Sequence, residues 1–95
     1  MERFGKTYDG LSGVYSELEN IMGSVYEELQ LDPTNERNAN LLQGLGSVAL
    51  KVLASQRELV ESYGDKDLKD SLLSNIDSKT IALSNALSQD KNRTR

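Results

Sequence analysis

The chain has 95 residues, a formal net charge of -4 and 37% hydrophobic residues. It contains no cysteine and no histidine, which excludes a disulfide framework, a thiolate nucleophile and the usual zinc ligand sets. One small domain is expected at this length, and a mean hydropathy of -0.54 implies a thin, elongated molecule or one whose core is completed by partner chains.

The charge is unevenly spread. Residues 1–32 carry two basic side chains (Arg3, Lys6) against seven acidic ones, residues 33–64 three of each, and residues 65–95 six basic against five acidic. A basic face running the length of the fold, as nucleic-acid binding would favour, is absent. No apolar run approaches the ~18 residues of a membrane span. The opening MERFGKTYDG lacks the apolar stretch of a signal peptide. A cytoplasmic protein (host cytoplasm if viral) with no membrane partner is expected.

The first periodic segment starts near Tyr8. Tyr8, Leu11, Tyr15, Leu18, Met22, Val25 and Leu29 alternate steps of three and four, an apolar seam of heptad type that predicts an amphipathic helix over about 8–31. Val14 and Ile21 widen the stripe on one side. Glu17, Glu19, Glu27 and Glu28 fall off it, where solvent is expected. The residue before a proline is pushed out of helical geometry, so helix 1 should end at about Leu31. Asp32 is then placed to cap the next helix and Pro33 to open it.

Helix 2 is predicted over about 33–63. Leu42, Leu45, Ala49, Val52, Gln56, Leu59 and Tyr63 repeat the seam, and Leu41, Val48, Leu53 and Val60 form a second stripe beside it. Between residues 41 and 53 the helix is apolar over more circumference than one neighbour can cover, so a third helix or another subunit is required. A short turn makes helices 1 and 2 antiparallel neighbours. Gly64 suits a left-handed stop, and Asp65 or Asp67 can cap a third helix over about 67–89. Its stripe is weaker (Leu68, Leu72, Leu73, Ile76, Thr80, Leu83, Leu87), and its frequent serines lower helix propensity. The basic end, residues 90–95, is expected to fray.

Gly44-Leu45-Gly46-Ser47-Val48-Ala49 has the G-x-G-x-x-A spacing of a dinucleotide-binding turn. That turn needs a buried strand before it and a helix N-terminus after it. Here the helix starts about eleven residues upstream, so both glycines lie inside it and the match is coincidental. Gly10, Gly13, Gly23, Gly44 and Gly46 each cost about 1 kcal/mol relative to alanine inside a helix. Close backbone approach by another helix, or a local kink near Gly44–Gly46, would account for them, close approach being favoured. A P-loop fails for want of its second glycine before Lys51. Glu27 with Glu28, and Asp65 with Asp67, read as solvated charges and helix caps rather than an acid–base pair. No serine has a histidine to activate it. Tyr8 and Tyr15 fit core packing better than base stacking, with Glu17 and Glu19 nearby to repel phosphate. No catalytic residue, metal or cofactor is expected.

The hairpin resembles the central helical domain of tailed-phage small terminase subunits. The likeness rests on the Asp32-Pro33 turn between two long helices and on the run ASQRELVESY, Ala54 to Tyr63, matched at Gln56, Arg57, Glu58, Leu59 and Val60. It covers about residues 8–63. It implies a ring-forming homo-oligomer that engages viral double-stranded DNA and regulates the large terminase's ATPase and nuclease. The chain departs from the family in having no room for a separate N-terminal DNA-binding domain. A second likeness, in the style of LDPTNERNANLL, is to secretion-system needle subunits, which usually lack a third segment of this length. A third alternative is a free-standing regulator that binds a partner helix.

The expected fold is therefore all-α: an antiparallel two-helix coiled-coil-like hairpin plus a third amphipathic helix in one domain, assembled as a homo-oligomer. Leu41, Gly44, Val48, Leu53 and Val60 are the candidate inter-subunit residues. Lys91, Arg93 and Arg95 are the candidate DNA contacts.

Overall fold

The structure, a computed structural model, describes the backbone of residues 2–62 and 66–93 and the side chains of residues 5–62 and 66–89. These residues form three α-helices and no strand: α1 (Glu2–Leu31), α2 (Glu36–Glu61) and α3 (Lys66–Arg93).

The boundaries differ from the sequence expectation in instructive ways. α1 begins six residues before Tyr8, since nothing from Glu2 onward breaks a helix and Gly5 is tolerated there. Its end at Leu31 is where Pro33 requires it. The start of α2 is a correction: Asp32 does not cap it and Pro33 does not open it. The Asp32 carboxylate accepts from the backbone N–H of Thr34 at 3.3 Å and from its hydroxyl at 2.8 Å, forming a local turn. The cap passes to Asn35, whose side chain accepts from the Asn38 N–H at 3.1 Å. α2 closes at Glu61, where the Ser62 hydroxyl and N–H both donate to the Glu58 carbonyl. Tyr63, Gly64 and Asp65 lie outside the described residues. α3 runs on through Arg93, so helix replaces fraying over much of the expected tail.

α2 is the central element. It packs against both α1 and α3, while no Cα of α3 comes within 8 Å of one in α1 among the described residues. Asn38 reaches Glu28 near the turn, and Gln56 reaches Tyr8 and Ser12 at the far end, so α1 and α2 run in opposite directions. Leu29, Ala49, Leu53 and Val60 are fully enclosed, and Tyr15, Met22, Val25, Leu42, Val52 and Ile76 complete the buried core. Burying a Leu or Val side chain contributes about 1.5–3 kcal/mol, so these few residues dominate the stability.

Gln56 is the buried polar member of this core. Its amide donates to the Ser12 hydroxyl at 2.9 Å and the Tyr8 carbonyl at 3.3 Å. A buried amide without a partner costs about 1–3 kcal/mol, so Gln56 favours the one sliding register of α2 on α1 that supplies both acceptors. α3 is held to α2 by Leu72, Leu73, Ile76, Leu83 and Leu87 against the core. Gln43 donates to the Leu87 carbonyl at 2.9 Å, and Arg57 pairs with Asp77 at 3.0 Å.

Candidate functional site

The glycine pair of the G-x-G-x-x-A stretch divides between two roles. Gly46 is buried, and a Cβ there would lie 2.5 Å from both methyls of Leu87 and 3.0 Å from its Cγ. Close approach by α3 is therefore what this position serves. Gly44 is exposed, with nothing within 4 Å of a would-be Cβ, and a Cβ at Gly5, Gly10, Gly13 or Gly23 would likewise meet nothing within 4 Å. Close packing inside the chain explains Gly46 and none of the others.

Of the candidate inter-subunit residues, Leu41 and Val48 are 47% exposed and Gly44 is open. Leu53 and Val60 are a correction: both are fully buried, because seven and fourteen residues past Gly46 they fall on the side of α2 that the chain's own third helix covers. They are unavailable to another subunit while the fold is intact. Lys91 and Arg93 fall in the last turns of α3 and Arg95 beyond it. All three side chains lie outside the described residues.

Two surface features remain. The first is a groove of about 400 Å³ between α1 and α3. It exists because both helices lean on α2 and their backbones stay apart from each other. Tyr15, Met22 and Tyr26 form one wall, Leu42 lies on the α2 side, and Ala82, Leu83, Ala86 and Leu87 form the other wall. The Lys79 ammonium sits 5.4 Å from the centre of the Tyr15 ring, an arrangement that favours the cation by about 0.5–1 kcal/mol at such exposed sites. Burial, and secondarily the Glu19 carboxylate, pushes the Tyr15 phenol above its ordinary value. Burial and then Asp9 do the same at Tyr8. Both tyrosines thus stay neutral and act as packing groups, as their seam positions predict.

The second feature lies on the other side of the hairpin. Val14, Ile21, Leu41 and Val48 are each about half exposed, at 47–48%. Val48 follows Gly46 by two residues and so points about 200° away from the side that meets α3. Val14 and Ile21 each precede a core residue, Tyr15 and Met22, by one position, which turns them away from the groove. All four therefore flank the α1–α2 seam opposite α3. Toward one end of this seam is a shallow depression lined by Thr7, Leu11, Ser55, Glu58, Leu59 and Ser62. The sequence pattern marked Leu41 and Val48 as part of the excess apolar surface of helix 2, and Val14 and Ile21 only as widening the helix 1 stripe; the side all four share is visible only in three dimensions.

Among the described residues no group of three or more acidic side chains could hold a metal ion, and no helix is long and apolar enough to cross a membrane. Glu28 accepts a hydrogen bond from Asn38, Glu27 and Asp67 are exposed, and Asp65 lies outside the described residues. No family model, no curated protein and no solved structure matches the chain.

Proposed function

We propose that this chain is a non-enzymatic assembly subunit: an antiparallel, coiled-coil-like hairpin carrying a third helix, which associates with copies of itself and acts through the assembly on a partner. The observation that carries this is the side of the hairpin opposite α3, where Val14, Ile21, Leu41 and Val48 stand half exposed. Single exposed apolar residues are ordinary, whereas several on one side of two adjacent helices mark an interaction surface.

In its specific form the proposal is a small-terminase-like subunit of viral DNA packaging. It would work as a ring beside the large terminase ATPase and nuclease, with Lys91, Arg93 and Arg95 as contacts to double-stranded DNA. Its support is the α1–Asp32-Pro33–α2 architecture and the residue run Ala54–Tyr63. In that run Gln56 and Val60 face the core and Arg57 reaches α3. Weak tails repeated around a ring add by avidity and give salt-sensitive binding. The test pairs native mass spectrometry with the ATPase rate of a large-terminase motor measured with and without this chain. A closed oligomer that stimulates the motor supports the proposal. An oligomer that leaves the motor unchanged removes the packaging role and keeps the assembly role.

One observation favours a second reading, a regulator that captures a partner helix. The α1–α3 groove is apolar and open at the place where a fourth helix of a bundle would sit. A chain that is monomeric at micromolar concentration and gains helical thermal stability on binding an amphipathic peptide would favour it.

A further inference from the structure

The proposed self-association leaves open which surfaces meet and in what orientation, and the charges bordering the apolar flank decide this. The hydrogen bonds from Gln56 to Tyr8 and Ser12, and from Asn38 to Glu28, fix which residues of α1 and α2 lie level with each other. Residue 10 is level with 56 and residue 28 with 38. On α1 the border of the flank carries Lys6, Glu17 and Glu28, and on α2 it carries Glu58, Lys51 and Arg37; all six are exposed. Read along one axis, the signs are plus, minus, minus on α1 and minus, plus, plus on α2. Each opposite pair (Lys6 with Glu58, Glu17 with Lys51, Glu28 with Arg37) is level to within about two residues, roughly 3 Å along a helix.

Glu28 leans inward to accept from Asn38 of its own chain and Glu58 lines the depression on the seam, so the pair that decides is Glu17 with Lys51. Within one chain these two do not meet, because they sit on opposite outer borders of the hairpin. They meet if a second copy is laid on the flank by a two-fold axis parallel to the helices. That operation places α1 of each copy over α2 of the other and keeps every residue at its own height. The alternative, a two-fold axis running across the helices, sets α1 on α1 and α2 on α2, which brings Glu17 close to Glu17 and Lys51 close to Lys51, both repulsive. We infer that the flank opposite α3 is an isologous contact with a second copy of this chain, its four central helices forming a bundle. Val14, Ile21, Leu41 and Val48 are buried in it and Glu17–Lys51 is repeated at its two edges. Gly44, open in the single chain, lies on the same border, where the absence of a side chain lets the partner's α1 come close. Alone this contact closes at a dimer, so the ring of the specific proposal would be built from such dimers through a second contact, and assemblies of the chain contain an even number of subunits.

This inference rests on the self-association reading, and the experiment separates the two. Sedimentation equilibrium at low salt is run on the full chain and on E17K, K51E and the double variant E17K/K51E, with circular dichroism confirming that each is folded. The substitutions are at exposed positions and leave the core intact. The expected result is a dimer or larger even assembly. Each single variant weakens association by about tenfold, consistent with two desolvated edge pairs per dimer, and the double variant returns to within about threefold of the original. If the chain associates and all four proteins do so equally, or the double variant is weaker than either single, this face and axis are wrong while self-association stands. If the unaltered chain is monomeric at about 100 μM, both are overturned.

Discussion

Gly46 offers the sharpest test of how α3 is seated. Replacing a helical glycine by alanine contributes about 1 kcal/mol through backbone entropy alone. At Gly13 that gain is uncompensated, because nothing lies within 4 Å of the new methyl, and Gly13→Ala should stabilise the fold by ~0.5–1 kcal/mol. At Gly46 the new methyl would sit 2.5 Å from both Leu87 methyls and 3.0 Å from Cγ, against a relaxed carbon–carbon contact of about 3.5–4.0 Å. Rotation about χ2 moves one methyl away but leaves Cγ too close, so Leu87 must change its χ1 rotamer and give up its packing, or the backbone of α3 must retreat. It is tethered there by the Gln43 bond to the Leu87 carbonyl. Overpacking of this kind costs about 1–3 kcal/mol, leaving a net loss of ~1 kcal/mol for Gly46→Ala. The two variants should differ by about 2 kcal/mol, or roughly 8–16 °C in Tm for a chain of this size. Thermal melts followed by far-UV circular dichroism at one protein concentration measure the gap. Leu87→Ala added to Gly46→Ala should cost less than it does alone, since it makes room for the methyl. A Gly46→Ala protein that melts as high as Gly13→Ala would refute the seating of α3 against this glycine.

Three further outcomes are expected. Leu53→Ala, at a fully enclosed position, should destabilise by about 2–5 kcal/mol in urea unfolding, whereas a surface-contact role would make it nearly silent. Arg57→Ala loses the pair to Asp77 and the neighbouring contact with Glu61; both are exposed, so the cost should stay below about 1 kcal/mol and shrink with added salt. The phenols of Tyr8 and Tyr15 are held above their ordinary value of 10.0. Since the folded state binds these protons more tightly, their contribution is fully present below that pH. It is lost as pH rises through the raised folded values. Tyr15→Phe should therefore lessen the fall in stability measured by urea unfolding above that pH, and an unchanged alkaline limb would count against burial as the cause.

Periodicity made the three helices legible, because alternating steps of three and four fit no strand and Pro33 stops α1. The start of α2 was not, since Asp32, Thr34 and Asn35 all accept or donate locally. Only the backbone path shows that Asp32 closes a turn on Thr34 while Asn35 caps. The double stripe on α2 correctly announced a second neighbour for that helix. It could not say that α3 of the same chain covers Leu53 and Val60 while leaving Leu41 and Val48 open, since both pairs are equally apolar and interleave within a few turns. Gly44 and Gly46 are likewise indistinguishable as letters, although two residues apart on a helix is nearly opposite in direction. The charge pattern along the flank was present in the sequence from the start. It acquires meaning only once hydrogen bonds through Gln56 and Asn38 fix which residues lie level.

Because α2 alone brings its backbone close to both other helices among the described residues, the tertiary structure is two helical pairs sharing one member, with Lys79 over Tyr15 as a side-chain contact across the groove. Each pair joins neighbours in sequence, and no contact requires the chain to bring α1 and α3 together first. Ordering the loops before any reward is therefore inexpensive, and such topologies fold on the microsecond-to-millisecond scale. The route should be branched, with α2 recruiting either partner first. A pulling force applied to the two chain ends would strip α1 or α3 from it one at a time rather than shear the whole molecule at once.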